Sequence, residues 1–438
     1  PAPEGGGKGT RGKFVVVTTK RKIDFLRPAE GAGECPFDVV LLERPRGGAD
    51  GDDAGRFRRM LEEAGLWDVG DDGDGSDDSD DEKKEKVAKK MGLLSKEKPH
   101  GSLLKSWYAF LQEERSLATS DVTTGLGLSM SVKEGMEVDL IRKSSVLTNK
   151  VFRHGFVPEM ERIIDEGVDI SHEDLATYVQ GVIEDVSKIK LKIPKDHAEP
   201  CYFPIIQSGG AYDLRVSSQS DNSKVKYDII LASIGARYQN YCSNMSRTFL
   251  VDPPRRVSQT YETLLELHGR CLRSMQAGRP LRSVYETAVK YLKDSNRPDL
   301  VGKLPKNLGF ATGLDFRDPS LLLTAKNPAT FRSGMVFVLS VGLSDVELKP
   351  EHKSGVSSKS AVVHLATFAV LVADTVVVKK EGAADVLTKH AKRVTDISYT
   401  INENSSAAEQ SSDSGGDDAA AAKPDVGAIY SSGKRQSA

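Results

Sequence analysis

DIILASIGARYQNYCSNMSRTFLV, residues 228–251, is the stretch that decides the fold. Asp228–Gly235 is a nearly continuous apolar run, Arg237–Asn240 is turn-prone, and a second strand closes on Thr248–Val251. Two such runs joined by a few turn-forming residues predict a β-hairpin.

The hairpin resembles the central hairpin of the pita-bread peptidase family, which includes methionine aminopeptidase, aminopeptidase P, prolidase and creatinase. In metal-binding members it carries two aspartates that ligate a pair of divalent ions, and the positions matching them are Ser233 and Asn244. The resemblance continues in order along residues 130–400. The glycine-flanked histidine segment of the family falls on Gly309–Gly313 (GFATG), so Phe310 stands at the histidine, and Leu314–Asp318 (LDFRD) matches the family's continuation. GMVFVLSVG places Ser340 at a metal-binding glutamate, and the last glutamate falls on Ala373, just before Asp374 and Thr375. Two adjacent divalent ions need carboxylates to neutralise them and to fix their spacing. Ser233, Asn244, Phe310, Ser340 and Ala373 supply none, so the resemblance implies a fold without the metals and a chain that is not an aminopeptidase. Creatinase catalyses without metal through a histidine base. Here no histidine lies between His197 and His268, and the place to expect one, near Val216–Ser217, is apolar and hydroxylic.

Other catalytic sets are no better supplied. Ser208-Gly209-Gly210 lacks the G-x-S-x-G pattern, and no His/Asp partner is spaced to suggest a triad. Gly5-Gly6-Gly7-Lys8 is terminal low complexity rather than a strand-to-helix phosphate loop. Cys242 reads as a buried structural thiol, and His364, inside an apolar run, as a core or edge histidine.

Outward from the hairpin, Ser131 and Glu134 form an S-x-x-E box that opens a long helix with apolar positions Leu140, Leu147, Val151 and Phe156. Pro158 interrupts this pattern, which resumes at Met160, Ile163 and Ile164. The stretch 133–152 is similar to the helix that bridges the two lobes of aminopeptidase-P-like proteins. Ser171 and Asp174 cap a further helix with the stripe Leu175, Val179, Val182, Ile183 and Val186. After Pro253–Pro254 come two amphipathic helices, presenting Val257, Tyr261 and Leu264, then Val284, Ala288 and Leu292, with strands expected at Met335–Val341, Ser360–Phe368 and Ala369–Val378. Upstream, strands are expected at Phe14–Thr19, Pro36–Leu42 and Val122–Leu128, and helices at Gly55–Leu66 and Leu103–Leu111.

At 438 residues with a formal charge of −2, the chain has room for two or three domains and no global basic field for nucleic acid. Cys35, Cys201, Cys242 and Cys271 show no C-x-x-C pair and read as isolated thiols in a reducing compartment. No apolar run approaches membrane-spanning length. Asp71, Asp72, Asp74, Asp77, Asp78, Asp80, Asp81 and Glu82 form an acidic loop, followed at once by the basic run Lys83–Lys90, which has the composition of a nuclear address. The organisation expected is an α/β (α+β), two-lobed, aminopeptidase-P-like chain. Its parts are a disordered stretch at 1–13, a creatinase-like α/β lobe at 14–130, truncated at its start and carrying the 71–90 loop, a pita-bread lobe at 131–400, and a disordered tail at 401–438.

Within that family, PIIQSGGAYDLR (204–215), RYQNYCSNMSRTFLVDP (237–253) and the ending VLTKHAKRVTDISYTINE resemble the N-terminal domain of the large subunit of FACT-type histone chaperones. The resemblance implies a nuclear, chromosomal module in nucleosome reorganisation during transcription, replication and repair. It implies histones H3–H4 as partners, through core surfaces or tails, and an HMG-box-type small subunit engaged through regions outside 1–438. No cofactor is implied. Candidate histone- or peptide-binding residues are Tyr212, Arg215, Ser233, Asn244, Arg247, Phe310 and Ser340. The alternatives are a docking scaffold for replication or transcription factors without direct histone binding, and an atypical active aminopeptidase.

Overall fold

The computed structural model of the chain describes residues 12–18, 20–27, 37–43, 53–64, 89–93, 99–114, 117–353 and 361–401. The acidic loop, Cys35 and the expected C-terminal tail past residue 401 lie outside the described residues. The chain divides into two compact units, Pro1–Thr124 and Gly125–Ala438.

In the first unit, β1 (Gly12–Thr18), α1 (Lys20–Leu26) and β2 (Phe37–Glu43) make one strand–helix–strand unit with parallel strands. After α2 (Asp53–Glu63), a second is made by β3 (Lys89–Leu93), α3 (Gly101–Glu113) and β4 (Leu117–Asp121). Parallel partners need such a crossover because a tight turn cannot return the chain in the same direction. Phe57 and Leu61 of α2 bury against Phe110 and Leu111 of α3, with Trp107 edge-on to Phe57 at 5.1 Å. Lys89 and Lys90, the end of the basic run, open β3. One expectation fails here: Val122–Leu128 is not a strand but falls largely within α4 (Thr123–Met130). The Asp121 carboxylate accepts the Thr123 N–H at 2.9 Å and turns the chain into a helix, and the strand is the segment just before.

The second unit begins within α4, and its first long helix is α5 (Gly135–Val151). Its cap is Glu134, whose backbone N–H donates to Glu137 at 2.9 Å. The expected partner Ser131 instead gives its hydroxyl to the Leu128 carbonyl at 2.7 Å and closes the preceding helix. Ile141 rather than Leu140 is the buried residue at the start of the α5 stripe. A π-helical turn over Phe152–Phe156 carries the chain into α6 (Val157–Glu166), so Pro158 sits in a first helical turn, where its missing N–H costs nothing. α7 (His172–Glu184) is capped by Ser171, which accepts the Asp174 N–H at 3.0 Å. Leu175, Val179, Val182, Ile183 and Val186 are all buried, each stabilising by about 1.5–3 kcal/mol.

The strands that follow form one sheet: β5 (Ala198–Pro200), β6 (Ile205–Gln207), β7 (Ile229–Tyr238) and β8 (Tyr241–Val251) before the helices α8 (Arg255–Ser274) and α9 (Ser283–Asp294). β9 (Gly309–Ala311), β10 (Val336–Glu347), β11 (Thr367–Val377), β12 (Asp385–Val386), α10 (Val394–Ile397) and β13 (Ser398–Tyr399) complete it. The order is β5-β7-β8-β11-β10-β9, antiparallel throughout, with β6 on β7, β12 on β11, and β13 parallel to β8. The decisive hairpin is β7–β8. Its turn residues Gln239 and Asn240 have φ of 46° and 68°, the left-handed pair that a two-residue hairpin turn requires.

The expected strand at Ser360–Phe368 is absent over most of its length. Ala361–His364 is a 3₁₀ turn with His364 exposed, and β11 starts only at Thr367, opposite Glu347, the last residue of β10. A strand cannot run past the end of its partner.

Candidate functional site

Ladder register brings together the five positions that the resemblance matches to the family's metal ligands. Ser233 on β7 lies opposite Ser246 on β8, Ser246 opposite Ala373 on β11, and Ala373 opposite Ser340 on β10. Residues directly opposed in a ladder, and residues two apart along a strand, share a face. Asn244 therefore joins this face two residues from Ser246, and Phe310, paired with Val338, joins it two residues from Ser340.

β8 and β11 meet at only the Ala373–Ser246 bridge, and threonine hydroxyls replace the missing ladder bonds. The Thr375 hydroxyl donates to the Asn244 carbonyl at 2.9 Å and accepts the Asn244 N–H at 2.8 Å. Thr248 does the same for Leu371, at 2.9 and 2.8 Å.

The face is filled rather than hollow. Phe310 is buried, edge-on to Phe316 at 5.2 Å, and Phe316 packs on Tyr202 at 4.8 Å. The Tyr202 hydroxyl donates to the Asn244 side-chain oxygen, and Ser233 and Ser246 share a hydrogen bond of 2.7 Å. Phe310, Val338 and Ala373 form a small apolar cluster of their own. What remains beside Ser233, Asn244, Ser246 and Ser340 is a cavity of about 20 Å³, the size of one water. Above it opens a groove of about 470 Å³ lined by Tyr212, Arg215, Phe310, Arg317, Ser340 and Asp345, among others.

Six of the seven candidates thus border the cavity or the groove. Tyr212 donates its hydroxyl to the Ile229 carbonyl at 2.8 Å, and Arg215, 80 % exposed, pairs with Asp213 at 2.6 Å. Arg247 is the exception and is corrected. As the neighbour of Ser246 it points to the opposite face, fully buried, where its guanidinium meets Asp374 at 2.6 Å and the Ala373 carbonyl at 2.8 Å. Lys392 reaches Asp374 at 2.5 Å, and His268 approaches it at 3.4 Å. Burial works against the Asp374 charge, but Arg247 and Lys392 outweigh it and hold the carboxyl well below the usual range. Burial pushes His268 down to about 3 and His390 down to about 4. Cys242 is buried on the hairpin, as expected.

Sequence spacing missed one constellation altogether. Ser208 Oγ lies 2.8 Å from His172 Nε2, and His172 Nδ1 lies 2.7 Å from Asp221 Oδ1. Ser208 and Asp221 lie in the one loop between β6 and β7, and His172 at the start of α7, separations that no local motif records.

The donor set does not fit the metal pair that the family resemblance implies. Two serines, an asparagine, a phenylalanine and an alanine carry no charge, and the phenyl ring occupies the face where an ion would sit. Among the described residues no group of three or more His, Cys, Asp or Glu side chains could hold a metal ion.

Two family profiles match the chain: metallopeptidase family M24 over residues 139–380, and the FACT complex subunit SPT16 N-terminal lobe domain over residues 9–125. Over 315 residues it is 34 % identical to the FACT complex subunit SPT16 of Dictyostelium discoideum, covering 72 % of this chain and 28 % of that one. The chain therefore spans under a third of the length of that curated relative. The N-terminal domain of FACT complex subunit SPT16 from Cicer arietinum is similar in structure, with a TM-score of 0.74 at 28 % identity over 89 % of this chain and 85 % of that one. The X-Pro aminopeptidase of Thermotoga maritima is similar with a TM-score of 0.58 at 15 % identity, over 88 % and 87 % of the two chains, which shows a common fold alone.

Proposed function

Because the chain belongs to metallopeptidase family M24, and within it to the peptidase-like N-terminal domains of FACT complex subunit SPT16, we propose that it is a histone-binding module of a FACT-type histone chaperone, without the peptidase activity of the family. It acts in the nucleus, on chromatin, beside an HMG-box-type subunit, and its histone partner is H3–H4.

The observation that carries this reading is the contrast between the filled metal face and the open groove above it. Ser233, Asn244, Phe310, Ser340 and Ala373 lie together on one face of the sheet and offer no carboxylate. A hydrolytic metal pair has nothing there to hold it. The groove of about 470 Å³ persists, bordered by Tyr212, Ser340 and both signs of charge, Arg215, Lys306 and Arg317 with Asp213 and Asp345. An extended basic peptide is held by hydrogen bonds to its backbone and by carboxylates facing its Lys and Arg side chains. Phe310 floors the groove, so the peptide lies along it and does not enter the old metal cavity.

The test is titration of the purified chain with H3–H4, tailless H3–H4 and H2A–H2B at two salt concentrations. Saturable binding to H3–H4 that weakens without the tails supports the groove. Absence of binding by a folded sample at physiological salt overturns the histone reading and leaves a docking scaffold for replication or transcription factors.

A further inference from the structure

We propose that Ser208, His172 and Asp221 form a second site, separate from the old metal face, at which Ser208 is an activated nucleophile toward short-chain acyl esters. The inference does not rest on the chaperone reading. A serine triad is recognised by geometry and roles rather than by sequence order, and its two hydrogen bonds are present here at 2.8 and 2.7 Å.

The hydrogen-bond partners fix the direction of the His172–Asp221 bond. Asp221 is an exposed carboxylate, and the hydrogen bond from His172 holds it below the usual range. An ionised carboxylate only accepts, so His172 Nδ1 donates to Asp221 and Nε2 is the ring nitrogen that faces Ser208. Ser208 Oγ accepts the Lys226 N–H at 2.7 Å, which leaves its own hydrogen available to Nε2, 2.8 Å away, and the proposal places it there. This is the arrangement a general base needs. Asp221 is itself held in place by the Ser223 N–H at 3.1 Å and the Ser223 hydroxyl at 3.2 Å. On the other side, the backbone N–H of His172 donates to the Ser223 carbonyl at 3.0 Å, so base and orienting carboxylate are tied to one loop.

Ser208 and His172 both line a groove of about 800 Å³ that includes none of the five former ligand positions. Lys224, Lys226, Asp213 and Asp345 are among its walls, so it suits a short acyl group on a polar alcohol rather than a long aliphatic chain. In the step proposed, Ser208 Oγ bonds to the ester carbonyl carbon while its proton passes to His172 Nε2. The tetrahedral adduct then breaks its bond to the alcohol oxygen, which leaves with that proton. Water, activated by the same nitrogen, releases the carboxylic acid and restores the serine.

The full chain is treated with p-nitrophenyl acetate and, separately, with a fluorophosphonate, and Ser208 is followed by peptide mass spectrometry. A phosphonyl adduct on Ser208 is expected, with nitrophenol release that disappears in Ser208→Ala and falls about 100-fold in His172→Gln. Since His172 is buried and its replacement can unfold the chain, Asp221→Asn is the second arm. At this exposed position the melting temperature should hold while the labelling rate falls at least about tenfold. No adduct on Ser208 in folded wild-type protein, or an unchanged rate in Asp221→Asn, overturns the proposal. The three side chains are then a hydrogen-bonded brace between α7 and its neighbouring loops.

Discussion

Arg247 and Asp374 sit fully buried on the helix-covered face of the sheet, and the segment after β12 closes over them through Thr388, His390 and Lys392. Removing one partner of such a pair strands the other charge in the core. Arg247→Met is predicted to destabilise the fold by about 3–5 kcal/mol, measured by chemical denaturation. The same network predicts acid lability. His268 and His390 titrate near 6.5 when unfolded but at about 3 and about 4 when folded, so below about pH 6.5 the unfolded chain binds more protons. Their contribution is complete above pH 6.5 and is lost as pH falls through that window. Asp374, also depressed, adds loss at lower pH still. Asp228, raised by burial to about 6, acts in the opposite sense, its contribution being lost as pH rises through 6. The two histidine shifts together exceed the one at Asp228, so the melting temperature should drop between pH 7 and 5. A flat or rising profile contradicts the assignment. None of this was readable in the sequence, where Arg247 looked like a cleft residue. A one-residue step along β8 reverses the face, and the period of two gives no sign of which face carries the helices.

At the scale of elements, the β8–β11 junction depends on two hydroxyls. Thr375→Val removes both bonds to Asn244 and leaves its buried N–H and carbonyl unpaired. The expected cost is about 1–3 kcal/mol by denaturant titration, whereas an exposed threonine such as Thr263 should tolerate the same change. Elements with a strong period were legible: the β7–β8 hairpin, the α7 stripe behind its Ser171 cap, and the apolar faces of α8 and α9. Those that failed were decided by something non-local or by a short polar contact. Asp121 turned Val122–Leu128 into a helix, and the end of β10 shortened the strand expected at Ser360–Phe368. The hydroxyl-rich second strand of the hairpin, SNMSRT (243–248), is buried throughout. It is buried because its serines and threonine are all paired inside the sheet or with α5, as in the 2.8 Å bond from Ser144 to Ser243.

For the whole molecule, the M24 frame was readable in the sequence, because the hairpin and the glycine-flanked segment at Gly309–Gly313 keep the family's order along the chain. Phe310 as a filler of the face that holds the five matched positions was legible; the part of Tyr202 and Phe316 was not, since they reach it from loops. Two predictions belong at this scale. Millimolar Mn²⁺ or Co²⁺ should leave the melting temperature unchanged, because only a ligand bound by the folded state raises it; a saturable rise would mean that a metal set exists after all. The more direct measurement compares H3–H4 binding by the wild type, Arg215→Glu and Ser340→Trp, with each variant's fold checked by its melting curve. Arg215 is exposed, whereas Ser340 is half-buried beside the water-sized cavity, so Ser340→Trp counts only where its melting curve matches that of the wild type. The account predicts saturable wild-type binding that weakens at least about tenfold, near 1.4 kcal/mol, in Ser340→Trp, and a clear change in affinity or salt dependence in Arg215→Glu. Equal affinity in all three proteins, or none in the wild type, would contradict a histone-binding groove on this fold.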